Sequence, residues 1–519
     1  MEKSYDVCIV GGGHNGLVAA CYLAKAGKTV VVLEKNNYIG GATTSQKTFP
    51  EFDAYLSKYS YLISLFPKEI VQDLGLNINL LKREIASFTP YGSREGLLMS
   101  NRSEEVSKAS VLELGFGNSE WEGYQKILTM QARFAELIWE SFLAPLKSKS
   151  DWESYFEDHG EAALWQAIVE KPIGELIENH VNSDVLRGVL LTDAKIGVAS
   201  HAHDKSLLQN RTFLYHIIGN KMGEWRVPEG GMGALVQELN RKAKDLGVDF
   251  EVNAAVEQIR EHAVVVNGKV LKCEHILLNA APQLLQELVP DPLKEKYGFQ
   301  KAKYEAKDGT AFKINILLKR LPKLKADISP EEAFAGTFHV NQNYSQQENA
   351  YLETLRDKIP DIFSCEMYCH TLTDPSILSE ELQLKGYHTI TVFGLDMPFR
   401  LFDKDNNEKL KTIIWEKFLE GINAYLIEPF ESCIAVNSQN HLCFECKSAL
   451  DLEQELGLPK GNIFHNDLSW FYAESYADIN QWGVETVFPW ISICGSGARR
   501  GGAVSGIPGR NAAMRVLDQ

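Results

Sequence analysis

The chain has 519 residues with 53 Lys and Arg against 69 Asp and Glu, a formal charge of −16, which disfavours nucleic acid and anionic lipid as partners. Hydrophobic content is 45% and charged content 24%, the balance of a globular protein and not of a disordered or collagen-like one. No apolar run nears the roughly 18 residues of a membrane span, and nine cysteines in so long a chain are not a disulfide framework.

Residues 5–10 form a short apolar run that predicts a strand starting almost at once, leaving no room for a leader before it. The simplest expectation is a cytoplasmic protein. Gly11-Gly-Gly-His-Asn-Gly16 follows, then an Ala- and Leu-rich helix over 17–26 closed by Gly27, then a β-branched strand over 29–33. This is one βαβ unit. Within it Gly11, Gly13 and Gly16 have G-x-G-x-x-G spacing, and Glu34 ends the second strand 18 residues past Gly16. Gly11 permits the tight turn, Gly13 the approach of a pyrophosphate, and Gly16 close helix–strand packing; Glu34 accepts hydrogen bonds from a ribose and repels a 2′-phosphate. Lys35 and Gly40-Gly41-Ala42 extend the same site. No second fingerprint and no C-x-x-x-x-C pair appear, so the pattern points to one tightly held dinucleotide, FAD, without a nicotinamide domain.

Tyr59, Tyr61, Leu62, Leu65 and Phe66 read first as core, with an apolar ligand or membrane face as the alternative. Residues 118–210 are mostly helical by pattern, and 312–430 mix strands with helices. His201, His203 and His216 read as packing or surface histidines before proton carriers. Residues 228–233 predict a turn, 234–246 a helix, 248–252 a half-buried strand, and 263–266 and 274–278 two more. Cys365, Cys369 and His370, with Cys443 and Cys446, are the only zinc-like spacings and read as ordinary cysteines, so no metal is expected. Residues 490–494 predict a strand, 495–509 a loop with six glycines, and 511–517 a closing helix.

Together these predict an α/β protein with a Rossmann-type FAD-binding domain built from three segments, 1–85, 215–300 and 455–519. A mixed α+β substrate domain with a helical insert is expected from 86–214 and 301–454.

Residues 11–17 (GGGHNGL), Glu34-Lys35 and Gly40-Gly41-Ala42 resemble the opening of the phytoene desaturase-like FAD family of the flavin amine oxidase superfamily. Residues 191–197 (LTDAKIG), 229–235 (EGGMGAL), 461–465 (GNIFH), 494–498 (CGSGA) and 504–513 (VSGIPGRNAA) continue the resemblance in order, over nearly the whole chain. The resemblance implies that Gly11, Gly13, His14, Asn15, Gly16, Glu34, Lys35, Gly41 and Ala42 line FAD. It also implies Met232 in a flavin-facing loop, Val256 at the adenine end, and Gly495, Gly502, Ala503 and Val504 against pyrophosphate and isoalloxazine. Many relatives carry Pro-Gly-Gly-Gly where this chain has Arg499-Arg500-Gly501-Gly502-Ala503. Two readings of the arginines stand open: one faces the flavin cavity, or both point to solvent.

The expected activity is FAD-dependent dehydrogenation of an apolar, isoprenoid or lipid-like small molecule. The alternatives are a flavin-bearing partner-binding or regulatory protein, and a carotenoid desaturase or isomerase proper. No catalytic acid or base is identified, oligomeric state is open, and peripheral contact with a membrane is compatible with the pattern.

Overall fold

The computed structural model describes residues 4–519. Val30–Leu33 is buried along its whole length, and so is most of Ser4–Val10. Their continuous apolar sequences are what a central parallel strand covered on both faces requires. The sheet they start runs in the order Val256–Arg260, Ala263–Val266, Lys269–Leu278, Ser4–Val10, Val30–Leu33, Asp249–Glu251, with Ile491–Ile493 also paired to Lys269–Leu278. The pairs around Ser4–Val10 are parallel, as are those of Val30–Leu33 with Asp249–Glu251 and of Lys269–Leu278 with Ile491–Ile493. Three distant stretches of chain therefore build one sheet.

Beside it the helix His14–Lys25 packs against both Met232–Asp245 and Ile507–Leu517. Gly509 is what lets the first and third approach, since a Cβ there would lie 2.0 Å from the carbonyl oxygen of Asn15. The strand expected over 248–252 shortens to Asp249–Glu251, and Val252 is exposed beyond the end of the ladder.

A second sheet runs Phe444–Lys447, Phe312–Leu318, His388–Gly394, Cys365–Tyr368, Thr337–Val340, Ile85–Tyr91, Glu95–Ser100. Its pairs are antiparallel except that of Thr337–Val340 with Ile85–Tyr91. Cys365, Cys369 and Cys443 are buried in its core, and Cys446 packs against it. The helices Asn118–Ile138, Lys149–Asp158, Ile173–His180, Asp184–Lys195 and Leu208–Ile217 form a separate apolar core that gathers Trp121, Trp139, Trp152 and Trp165. Among the described residues no helix is long and apolar enough to cross a membrane.

Candidate active site

After Ser4–Val10 the chain turns at Gly11, whose φ of +104° only glycine adopts without strain, and whose N–H donates to Leu33 O at 2.8 Å. A Cβ at Gly16 would lie 2.6 Å from both Gly11 O and Asn279 Nδ2, so this glycine seats the helix His14–Lys25 on the turn. Gly13 begins that helix with no side-chain cap, which leaves the N–H groups of its first turn for a ligand. Asn279, at the end of Lys269–Leu278, fixes the loop by donating through Nδ2 to Gly11 O at 2.9 Å and Gly13 O at 3.2 Å. Glu34 is 5% exposed and accepts the Gly12 and Asn36 N–H groups, each at 2.8 Å. Each of its oxygens keeps acceptor capacity for a hydroxyl.

These residues wall a cleft of about 380 Å³ that gathers Gly11, Gly13, His14, Asn15, Glu34, Lys35, Gly41, Ala42 and Val256. Residues 34, 254–256 and 279–281 meet there because the sheet places those strand ends side by side. The cleft fits a dinucleotide on three observations: the uncapped helix end, a backbone cradle at Gly13 that a larger residue would fill, and the buried Asn15 Oδ1, which has no partner. Gly16 and Gly495 lie behind its wall, with Gly495 packed near Asn279 and Ala280.

A second, apolar cavity of about 170 Å³ shares His14, Ala42, His465 and Ser496 with the cleft. Tyr59, Tyr61, Leu62, Leu65, Ala503 and Val504 line it, while Phe66 stays in the core against Gly506. The stretch from Tyr59 thus both packs and walls a cavity. Met232 and Gly502 line neither space. Met232 is fully buried in the helix core, its N–H donating to Ser57 Oγ at 3.1 Å, and Gly502 turns at φ +91° against Leu468 and Phe464.

Burial disfavours the charged forms of His14, His465 and Lys313 on the cavity wall. Burial pushes His14 and His465 down to about 4; His14 Nδ1 pairs with Thr43 Oγ1 at 3.0 Å, and His465 Nδ1 has no partner. Lys313 is 3% exposed, and burial holds its ammonium well below the usual lysine range. Its Nζ donates to Ser57 O at 2.7 Å and stands 5.6 Å from the Tyr61 ring centre. A lysine within the mostly apolar, fully buried Phe312–Leu318 (FKINILL) was the signal that sequence reading passed over. His216 lines the cavity too, packed against Trp225; His201 and His203 do not, pairing with Glu348 and Glu178 instead.

Neither open reading of the arginine pair holds. Arg500 is fully buried and donates to Ala144 O at 2.5 Å, Trp482 O at 2.6 Å and Ser141 O. Arg499 pairs with Glu474 and, at 3.2 Å, Asp478. Neither lines a cavity, because the loop around Arg500 runs along the helical block.

Beyond Tyr61 lies a third, polar chamber of about 160 Å³, lined by Arg83, Tyr124, Asp193, His216, His339, Glu366 and Tyr368 among others. Glu366 is 4% exposed and accepts from Tyr368 Oη, and burial raises its carboxyl to about 8 against an ordinary 4.5. Between those two values the folded state holds a proton that the unfolded chain releases. The stability that Glu366 contributes is therefore greatest toward pH 4.5 and falls as pH rises to about 8, by up to about 1.4 kcal/mol per unit. Thermal midpoints at pH 5.5, 7 and 8.5 should fall more steeply for the wild type than for Glu366→Gln; equal slopes would place the Glu366 carboxyl near its ordinary range.

The model of an NAD(P)-binding Rossmann-like domain matches residues 9–69. The chain is 39% identical to the uncharacterized protein Rv0897c of Mycobacterium tuberculosis, over 99% of this chain and 97% of that protein. It is 26% identical to pyridine nucleotide-disulfide oxidoreductase domain-containing protein 2 of Rattus norvegicus, over 100% and 94%. It is also 26% identical to a 4,4'-diapophytoene desaturase of Staphylococcus aureus, over 56% and 58%. Among solved structures, wild-type putrescine oxidase bound to putrescine has the same fold, with a TM-score of 0.58 at 17% identity over the whole of both chains.

Proposed function

The chain belongs to the family of the mycobacterial protein Rv0897c, and from that premise we propose a FAD-dependent oxidoreductase of the phytoene desaturase-like class that dehydrogenates an apolar, lipid-like or isoprenoid substrate. The observation that carries this reading is the junction of the two spaces: the dinucleotide cleft opens into the apolar cavity at His14, Ala42, His465 and Ser496.

In this reading Gly11, Gly13 and the first turn of His14–Lys25 hold the diphosphate, Glu34 the ribose hydroxyls, and Val256 the adenine end. The bound flavin supplies the hydride acceptor. The chain supplies the rest. Leu62, Leu65, Phe393 and Ile463 exclude water and bind the apolar body of the substrate. Lys313, whose charged form burial disfavours, offers this wall an amine at Nζ able to take up a proton. His14 and His465 stay uncharged, so no cation from them opposes an apolar ligand.

Heat-denatured protein should release FAD into solution, identified by chromatography. Release of FMN, or of NAD without flavin, would refute the assignment. NADPH should be a poor reductant, because Glu34 faces the position of a 2′-phosphate and no second fingerprint exists. Anaerobic stopped-flow mixing should bleach the flavin at least a hundredfold more slowly than a turnover of about 10 per second; bleaching at that rate would reveal a nicotinamide site.

A further inference from the structure

The polar chamber continues from the apolar cavity: Tyr61, Leu62, Ile196, His216 and Trp225 belong to both walls. Two of its charged groups are incompletely satisfied. Arg83 donates through Nε to Trp225 O at 3.3 Å and through Nη1 to Thr337 Oγ1 at 3.0 Å, while Nη2 has no acceptor among the described residues. Asp193 comes from the 191–197 motif, which the flavin site does not use, and it hydrogen-bonds to no described residue. Arg83 and Asp193 do not reach ion-pair distance of each other, so each leaves capacity unused on one small space. Unpaired groups of this kind are costly unless water or a ligand completes them.

We infer that this chamber binds the polar end of the substrate, and that this end is a neutral group that both donates and accepts a hydrogen bond, a primary alcohol in its simplest form. A hydroxyl accepts from Arg83 Nη2 and donates to Asp193. A carboxylate would accept from Arg83 but face Asp193, and an ammonium would donate to Asp193 but face Arg83. Tyr61 and Tyr368, whose ring centres lie 4.7 Å apart at a tilt of 32°, form the neck between apolar body and polar end. This assignment rests on the reading of the apolar cavity as the substrate site, and it adds the chemistry of the substrate's far end.

The test is calorimetric titration of the flavin-loaded full chain at pH 7.5 with decan-1-ol, decanoate and decylamine, probes of one chain length and three head groups. Decan-1-ol should bind with a Kd at least about tenfold below either ionic probe, the worth of one hydrogen bond to a charged group. In Asp193→Asn the preference for decan-1-ol over decanoate should shrink to within about threefold, because the repelling charge is gone. Tightest binding of decanoate would make Arg83 a plain anion site, and tightest binding of decylamine would make the carboxyls a cation site; either overturns the inference. So would equal binding of all three, which means that the chamber holds water only, or a preference unchanged in Asp193→Asn. Protein that purifies without flavin defeats the functional reading instead, and the same titrations on it still decide the chamber.

Discussion

Gly13→Val yields a folded chain that carries no flavin. Gly13 sits at φ −74° and ψ 171°, backbone any residue adopts, and its Cβ would meet only Asn279 Nδ2, at 3.3 Å. The added branch therefore intrudes on the cleft and little else, in the space through which a diphosphate approaches the helix N-terminus. Flavin per polypeptide, from the visible spectrum of purified protein, should fall below about a tenth of wild type. The flavin-free forms of variant and wild type should unfold within about 0.5 kcal/mol of each other. The comparison must be made between flavin-free forms, since bound cofactor itself stabilises the folded state. Gly16→Val is the contrast. Its Cβ meets backbone at 2.6 Å, so that change should fail at folding rather than at loading. Full flavin occupancy in Gly13→Val would remove the diphosphate from this helix.

The second large effect separates adjacent arginines. Arg500→Gln removes a fully buried guanidinium shared by the carbonyls of the half-buried Ser141, Ala144 and Trp482. Leaving those acceptors without a charged donor should cost about 3–5 kcal/mol. Arg499→Gln removes partly exposed pairs with Glu474 and Asp478 and should cost no more than about 1 kcal/mol. Thermal midpoints and soluble yield measure the difference. Flavin reduction potential should be unmoved in Arg499→Gln, since this side chain turns away from both cavities. Equal stability of the two variants would mean that the buried guanidinium has no structural role.

The nucleotide half of the site was legible because its chemistry is local. A turn that needs φ +104° at Gly11, a helix that begins without a cap, and an acid at the end of the next strand all fall within residues 5–34. The substrate half is assembled across the chain. Arg83, Asp193 and Glu366 meet only because Ile85–Tyr91 pairs with Thr337–Val340, 250 residues on, with Asp184–Lys195 packed beside it. No period or spacing carries such a meeting. The arginine pair misled for a related reason: a glycine-rich loop sets where the backbone passes but not where a side chain points. Arg500, itself at φ +60°, turns into the helical block instead. Met232 was placed at the flavin on family pattern, and it fills the interior between three helices.

The contact between Gly509 and Asn15 has a consequence for biosynthesis. The helix that cradles the diphosphate is synthesised among the first 25 residues, yet its packing partner, Ile507–Leu517, emerges nearly 500 residues later. At about 5–20 residues per second a ribosome takes roughly 25–100 s to span that interval. For the first half of it the strands Ser4–Val10 and Val30–Leu33 lack their neighbours from residues 249–278, and throughout it the face of the first helix that Ile507–Leu517 covers stays bare. The nascent chain accordingly exposes its most apolar strands for the longest time. Pairings of such sequence separation also close slowly after release. Cofactor capture is thus a late event, and the opening βαβ segment is the part of the molecule with most need of a chaperone.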